Sequence, residues 1–293
     1  MKILTAYVIT GNLALLFWIL AFIGTITVAK FVITKLAKIL KSIIHIINKP
    51  TKTVKTSRWE IDNEYNREQQ RRYNEYYQST YYLSTGNKYE DVLYNKGLYG
   101  EYKIFVMLRT FENYGARFLF NCYLPREHNE TTEIDVILLT MNGIFVFESK
   151  NYSGWIFGNE KASTWTQTLA VGRGKPAEKE HFYNPIRQNE LHISCLKKML
   201  GDKIPMHSIV VFSERCTFKD LKIESSAAQV IKRDNLCKVV DKIVQQSKGK
   251  ADMCNVTNTY NMLYPYSQVS ERVKQQHIEN IQRDLERQYR EAE

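Results

Sequence analysis

Asp135, Glu148 and Lys150 stand close together in the chain and have side chains that could work together. Two carboxylates offer hard oxygen donors of the kind that hold Mg²⁺ or Mn²⁺ while leaving water positions open. An ion held in that way polarises a phosphate and lowers the pKa of a bound water. A neighbouring ammonium can orient that water or neutralise charge developing on the phosphorane. The chemistry this suggests is metal-assisted hydrolysis of a phosphodiester. The plainer alternative is a structural Asp–Lys pair beside an unrelated Glu.

The elements that must carry these residues are two strands, TEIDVILLT and IFVFESK. Ile134, Val136 and Leu138 are expected on one side of the first, with Ile137 and Leu139 on the other. In the second, Phe145 and Phe147 oppose Ile144 and Val146. Strands apolar on both faces belong in the interior of a covered sheet. Charges placed there are costly unless they pair with one another or with a cation. Asn-Gly is the preferred two-residue hairpin signal. With Asn142 and Gly143 as the loop, Asp135 falls opposite Lys150, and Ile137 opposite Glu148. The two acids are then diagonal neighbours on one face, about 7–8 Å apart at the backbone. Glu148 and Lys150, two apart, share that face. A three-residue loop would send Asp135 to the other side.

Around this hairpin the sequence predicts a helix in LYGEYKIFVMLRTF, with Ile104, Phe105, Leu108 and Phe111 on one side, and a strand in RFLFNCYL. Asn184-Pro185 reads as an N-cap followed by proline at the first helical position. That helix carries Gln188, Leu191, Cys195 and Leu196 and stops at Gly201. HSIVVFSE is a fourth strand. The stretch AVGRGKPAEKEHFY reads as a mobile loop, in which Gly172, Arg173, Gly174 and Lys175 form a candidate phosphate-contacting flap. Beyond residue 216 the chain is expected to be peripheral, with a strand in AAQVIKR and helices at 234–248 and 267–290. Val269, Val273, His277, Ile281 and Leu285 make a stripe on the last helix, suited to docking or to a partner helix.

The formal charge of +10 is unevenly spread. Residues 1–50 hold six lysines and no acid, so the other residues carry 35 basic against 31 acidic groups, a surplus of only +4. Whole-chain basicity is therefore poor evidence for nucleic-acid binding. Residues 3–29 are uncharged and long enough to span a bilayer as a helix. An apolar and basic segment with Lys35, Lys38 and Lys41 follows, as on an anionic inner leaflet. One lysine precedes the span and five follow it, which directs the remainder to the cytoplasm. Residues 51–96, rich in Tyr, Asn, Gln and Arg, read as a solvated, partly helical linker. The five cysteines show no CxxC pair and no zinc spacing, and fit a reducing compartment. No nucleophile–base pattern supports a peptidase, and no Gly-Lys-Ser/Thr loop supports an NTPase.

The residues now assembled resemble a known family. Gly100-Glu101 opening a helix, Glu133-Ile134-Asp135, and the run from Gly143 through Glu148-Ser149-Lys150-Asn151-Tyr152-Ser153-Gly154 are similar to the nuclease-related domain, NERD. Trp165 and Asn184-Pro185-x-x-Gln188-x-x-x-His192 continue the likeness, which covers about residues 97–213. NERD looks like a branch of the PD-(D/E)XK nucleases. The resemblance implies an α/β fold with a restriction-endonuclease-like αβββαβ core and mixed sheet, to which the sequence pattern adds an N-terminal transmembrane helix and a C-terminal helical extension. It implies metal binding by Asp135 and Glu148, with the Ser149 carbonyl and Glu101 as further ligands. Water activation falls to Lys150. Gln188 matches the glutamine of a Gln-x-x-x-Tyr motif, with His192 where those domains carry Tyr; packing or capping is the expectation for His192. The divisions expected are 1–50 for the anchor, 51–96 for the linker, 97–215 for the nuclease-like domain and 216–293 for the extension. The expected function is a membrane-anchored Mg²⁺- or Mn²⁺-dependent nuclease facing the cytoplasm and acting on DNA in preference to RNA. The alternative is a catalytically silent anchored module that binds nucleic acid or a protein partner, or self-associates, through its C-terminal helix.

Overall fold

The computed structural model describes residues 34–41, 58–172, 175–225, 228–247 and 255–292. They fall into two compact units divided between Asn66 and Arg67. In the first, residues 34–41 form a short exposed helix, α1, that carries Lys35, Lys38 and Lys41. The apolar run at 3–29 lies outside the described residues. Among the described residues no helix is long and apolar enough to cross a membrane. Helix α2 (Arg58–Tyr77) leads into the second unit.

The second unit is mixed α/β, with two mixed sheets and helices. It begins with α3 (Thr80–Thr85), α4 (Tyr89–Tyr94) and α5 (Lys96–Leu108). Strands β1 (Arg117–Pro125), β2 (Thr131–Thr140) and β3 (Gly143–Lys150) follow. Next come β4 (Gly154–Asn159), β5 (Thr164–Leu169), β6 (Glu178–Tyr183), α6 (Pro185–Leu200) and β7 (Met206–Phe212). The chain ends with β8 (Cys216–Lys222), β9 (Ala228–Lys232), α7 (Leu236–Gln246), α8 (Val256–Ser267) and α9 (Glu271–Ala292). The larger sheet runs β1-β2-β3-β7-β9, antiparallel through β3 and parallel beyond it. The smaller runs β6-β5-β4-β8.

The larger sheet is covered on both faces, as its apolar strands require. On one face Val136, Leu138, Phe145 and Phe147 pack with Ile104, Phe105 and Leu108 of α5. On the other, Ile137, Leu139, Ile144 and Val146 pack with Cys195 and Leu196 of α6. The helix, three strands, helix, strand series is therefore present. It is interrupted between β3 and α6 by three strands of the smaller sheet.

Four expectations need correction. Tyr76, Tyr81 and Val92 are fully buried in the α5-side core, so this part of the supposed linker is structural. Their aromatic packing hides the apolar face because it is spread over the end of α2 and two further short helices, with no single stripe. The stretch read as a loop ends in β6, a charged edge strand of the kind that resists further pairing. Residues 216–232 are not peripheral, since β8 extends the small sheet and β9 the large one. Helix α8 was not foreseen; Pro265 inside it masks the helical signal. The last helix uses part of its stripe within the chain, where buried His277 meets Thr131 of β2 at 3.1 Å. Cys122, Cys195 and Cys216 are buried free thiols, and Cys237 is a half-buried one.

Candidate active site

The hairpin has a two-residue loop, but a different one from that expected. Thr140 pairs with Gly143, which leaves Met141 and Asn142 as the turn. Gly143 is drawn into the strand by Pro205. The Pro205 carbonyl accepts from Ile144 N at 2.9 Å, and a Cβ on Gly143 would lie only 2.6 Å from that oxygen. The ladder Val136↔Phe147, extended by one residue, puts Asp135 directly across from Glu148, where Lys150 had been expected. A slip of two residues preserves the face, so the acids still converge.

A second departure lies in β2 itself. Ile134 packs with Ile137 and Leu139, not with Val136. Strand β1 changes sides at the same level: Phe118 and Phe120 join one cluster, Cys122 and Leu124 the other. Between them Asn121 has a left-handed backbone, φ 48°. Asn is among the few residues that tolerate this conformation. The alternation of the two strands is thus broken at the level of Asp135. Asn121 Nδ2 there donates to Glu101 Oε2 at 3.1 Å.

Two helices bring the remaining groups. A Cβ on Gly100 would sit 2.4 Å from Ser149 Oγ, so glycine lets α5 lie against the end of β3. That approach buries Glu101, which is 7% exposed. On the opposite face Asn184 caps α6, accepting from Ile186 N and donating to the carbonyls of Asn159, Glu160 and Ala162. With the helix start fixed, Gln188 and His192, one turn apart, reach β3.

Glu148 is the centre of the constellation, buried at 1% exposure. Its Oε1 meets Lys150 Nζ at 2.7 Å and its Oε2 meets His192 Nε2 at 3.1 Å. Lys150 also donates to Gln188 Oε1 at 3.2 Å, and His192 Nδ1 lies 2.9 Å from Thr132 Oγ1. Asp135 Oδ2 accepts from Ser149 N at 2.7 Å. Burial would raise the Glu148 carboxyl, but Lys150 and His192 outweigh it and hold the group below its ordinary value. Burial opposes the Lys150 charge, but Glu148, Tyr152 and Asp135 raise its pKa nonetheless. Asp135 is pushed well up by burial and by the charges of Glu148 and Glu101. Glu101 is raised to about 8 by burial, partly offset by Asn121, with Glu133 and Glu148 adding to the rise.

The structure therefore brings Asp135, Glu148, Lys150 and Gln188 together, with Glu101 near enough for its charge to be felt. Ser149 takes part through its N–H. Of the supposed flap, Arg173 and Gly174 lie outside the described residues, and Lys175 is exposed. His192 does more than cap or pack, since it holds one oxygen of Glu148. Asn121 and Thr132 escaped the sequence reading, although an Asn inside an apolar strand is itself a signal.

Among the described residues no three His, Cys, Asp or Glu side chains form a group ready to hold a metal ion. Both Glu148 oxygens are engaged. The charges of Glu148 and Glu101 raise Asp135, and those of Glu133 and Glu148 raise Glu101. Hard carboxylate donors in mutual repulsion fit a divalent ion in kind.

Residues 96–213 match the family model described as nuclease-related domain. An uncharacterized protein of Bacillus anthracis is 33% identical over 146 residues, covering 50% of this chain and 66% of its own length. No solved structure matches.

Proposed function

Because this chain belongs to the nuclease-related domain family, we propose that it hydrolyses phosphodiester bonds of nucleic acid, DNA in preference to RNA, with a divalent metal at Asp135, Glu148 and Glu101. The family supports a nuclease-related function and, in general terms, a divalent cofactor. The observation that carries the finer reading is the meeting of Asp135 with the Glu148–Lys150–Gln188 set at the end of β3. The larger sheet, with a helix on each face, supports a restriction-endonuclease-like core at residues 97–215.

Mg²⁺ or Mn²⁺ bound there would supply Lewis-acid polarisation of the phosphate and a water of lowered pKa. The chain's own residues do the rest. Glu148 and Asp135 hold oxygen donors on one face of the hairpin, and the Ser149 N–H fixes the orientation of Asp135. The Ser149 carbonyl is a further proposed donor. Lys150, kept protonated by Glu148, provides a positive charge for the non-bridging phosphate oxygens. Gln188 holds the ammonium from the other side, and His192 prevents Glu148 from turning away. Sequence alone supports the anchor at residues 3–29, and with it a single-pass membrane protein whose nuclease-like domain is cytoplasmic.

The test is a cleavage assay on the full chain in detergent, with labelled single- and double-stranded substrates and Mg²⁺, Mn²⁺ or chelator. Metal-dependent cutting that is lost in Asp135→Ala is expected. Folded wild-type protein that cuts nothing with any metal would refute the proposal.

A further inference from the structure

The smaller sheet has one buried face and one open one. Ile156, Trp165 and Phe218 point inward and pack with Phe212 of the larger sheet. The outer face of β4 carries Trp155, 49% exposed, and Phe157, 36% exposed. The register puts Thr168 beside Trp155 and Thr166 beside Phe157, with Lys179 and His181 next across the sheet. On the other side, β8 shifts register between Ile156 and Phe157, and Lys219 lies at that irregularity. Its Nζ stands over the Trp155 ring, 4.7 Å from the centre, a cation–π contact that leaves the opposite ring face and Phe157 for a stacking base. Asp220 is the acid on this side, and Lys222 lies 3.9 Å from it.

We infer that this face of the small sheet, built on Trp155 and Phe157 with Lys219 and Lys179 beside them, is a stacking platform for single-stranded nucleic acid. A single exposed aromatic needs no explanation, but two rings two positions apart on one strand, with lysines on strands to either side, do. Bases stack on such rings whatever their identity, and lysines beside the rings meet the phosphates. The ring spacing selects the strand form. Positions two apart on a strand are about 6.6–6.8 Å apart. Successive bases in duplex DNA rise about 3.4 Å and present no free faces, so only an unstacked strand can place one base on each ring. The lysine charges favour a polyanion over an apolar or cationic partner. Strand β4 begins four residues after Lys150 in the chain, so the platform lies on the segment that leaves the candidate active site. The inference rests on the reading that this chain handles nucleic acid, and names the substrate form.

Binding in chelator, without cleavage, provides the test. The full chain in detergent and EDTA is titrated into a fluorescein-labelled oligothymidylate and into a blunt duplex, with fluorescence anisotropy as the readout. Trp155→Ala/Phe157→Ala should weaken oligothymidylate binding by about tenfold or more and leave the duplex within about twofold. Trp155→Phe should retain most single-strand affinity. Lys219→Ala should flatten the salt dependence of oligothymidylate binding. Unchanged oligothymidylate affinity in the double variant, or an equal loss on both probes, would overturn the platform. So would a double variant whose only change is a smaller assembly in sedimentation, because the face would then join copies of the chain. Cleavage lost in Asp135→Ala with oligothymidylate binding unmoved in the double variant would keep the nuclease and discard the platform. The converse would keep the platform and discard the nuclease.

Discussion

The two sheets of this protein treat side chains in opposite ways. The larger is covered on both faces and carries its charged residues inside, at the end of β3. The smaller is covered on one face and leaves Trp155 and Phe157 in water while burying Trp165. In the covered sheet, burial turns three carboxyl groups, a lysine and a histidine into an interdependent cluster. In the half-covered sheet, the outer side chains meet only in local pairs, such as Lys219 with Trp155 and Thr166 with His181. Buried charge in the first is expected to cost stability, whereas outer side chains in the second are expected to leave it unmoved.

The sharpest way to break this contrast is at Asp135. Asp135→Asn should reduce cleavage by about 10²–10³-fold or more, as removal of a preorganised electrostatic group does. Because burial and like charges disfavour its ionised form, the same change should leave the melting temperature unchanged or raised. A large loss of stability together with activity would mean that the acid is structural.

The two tryptophans of the small sheet come next. Trp165→Ala empties a site at 1% exposure and should cost about 3–5 kcal/mol in denaturant unfolding. Trp155→Ala should stay within about 0.5 kcal/mol. Similar losses at both would erase the distinction between the faces.

Gly100→Ala should be intermediate, costing about 1–3 kcal/mol, since the new Cβ would lie 2.4 Å from Ser149 Oγ. The displacement falls on α5 and hence on Glu101, so cleavage should drop as well.

The smallest effect is electrostatic. Glu101 ionises near 4.5 when free and at about 8 in the fold. The native protein thus binds more protons than the unfolded chain between those values, and stability should fall as pH rises through that window. In EDTA, Glu101→Gln should melt at least about 2 °C above wild type at pH 8 and show a flatter profile from pH 5 to 8. Identical profiles would show that Glu101 carries no such penalty.

The same contrast explains what the sequence made legible. Strands β2, β3 and β7 and helices α5 and α6 announce themselves because a two-faced apolar strand or a capped amphipathic helix is a strong pattern. The site followed from it: acids and a lysine inside apolar strands need a reason. The register of the hairpin was not legible, because Asn-Gly favours its own turn and the competing pull of Pro205 on Gly143 is tertiary. Nor was the reversal of sides at Asn121 and Asp135, which two strands share. Strands β4 to β6 escaped because a half-exposed sheet of Thr, Lys and Glu lacks the apolar density that marked β2 and β3. The tyrosines of residues 76–82 look like a solvated surface until Phe105 and Phe120 are seen beside them.

The most direct measurement is binding of Mn²⁺ to the full chain, followed by electron paramagnetic resonance, in wild type and Asp135→Asn. Wild type should take up Mn²⁺ at a saturable site, and the variant should bind it about tenfold more weakly or not at all. A wild-type protein that leaves the ion free in solution, or a variant that binds it equally well, would contradict a shared cation between the strands of the hairpin.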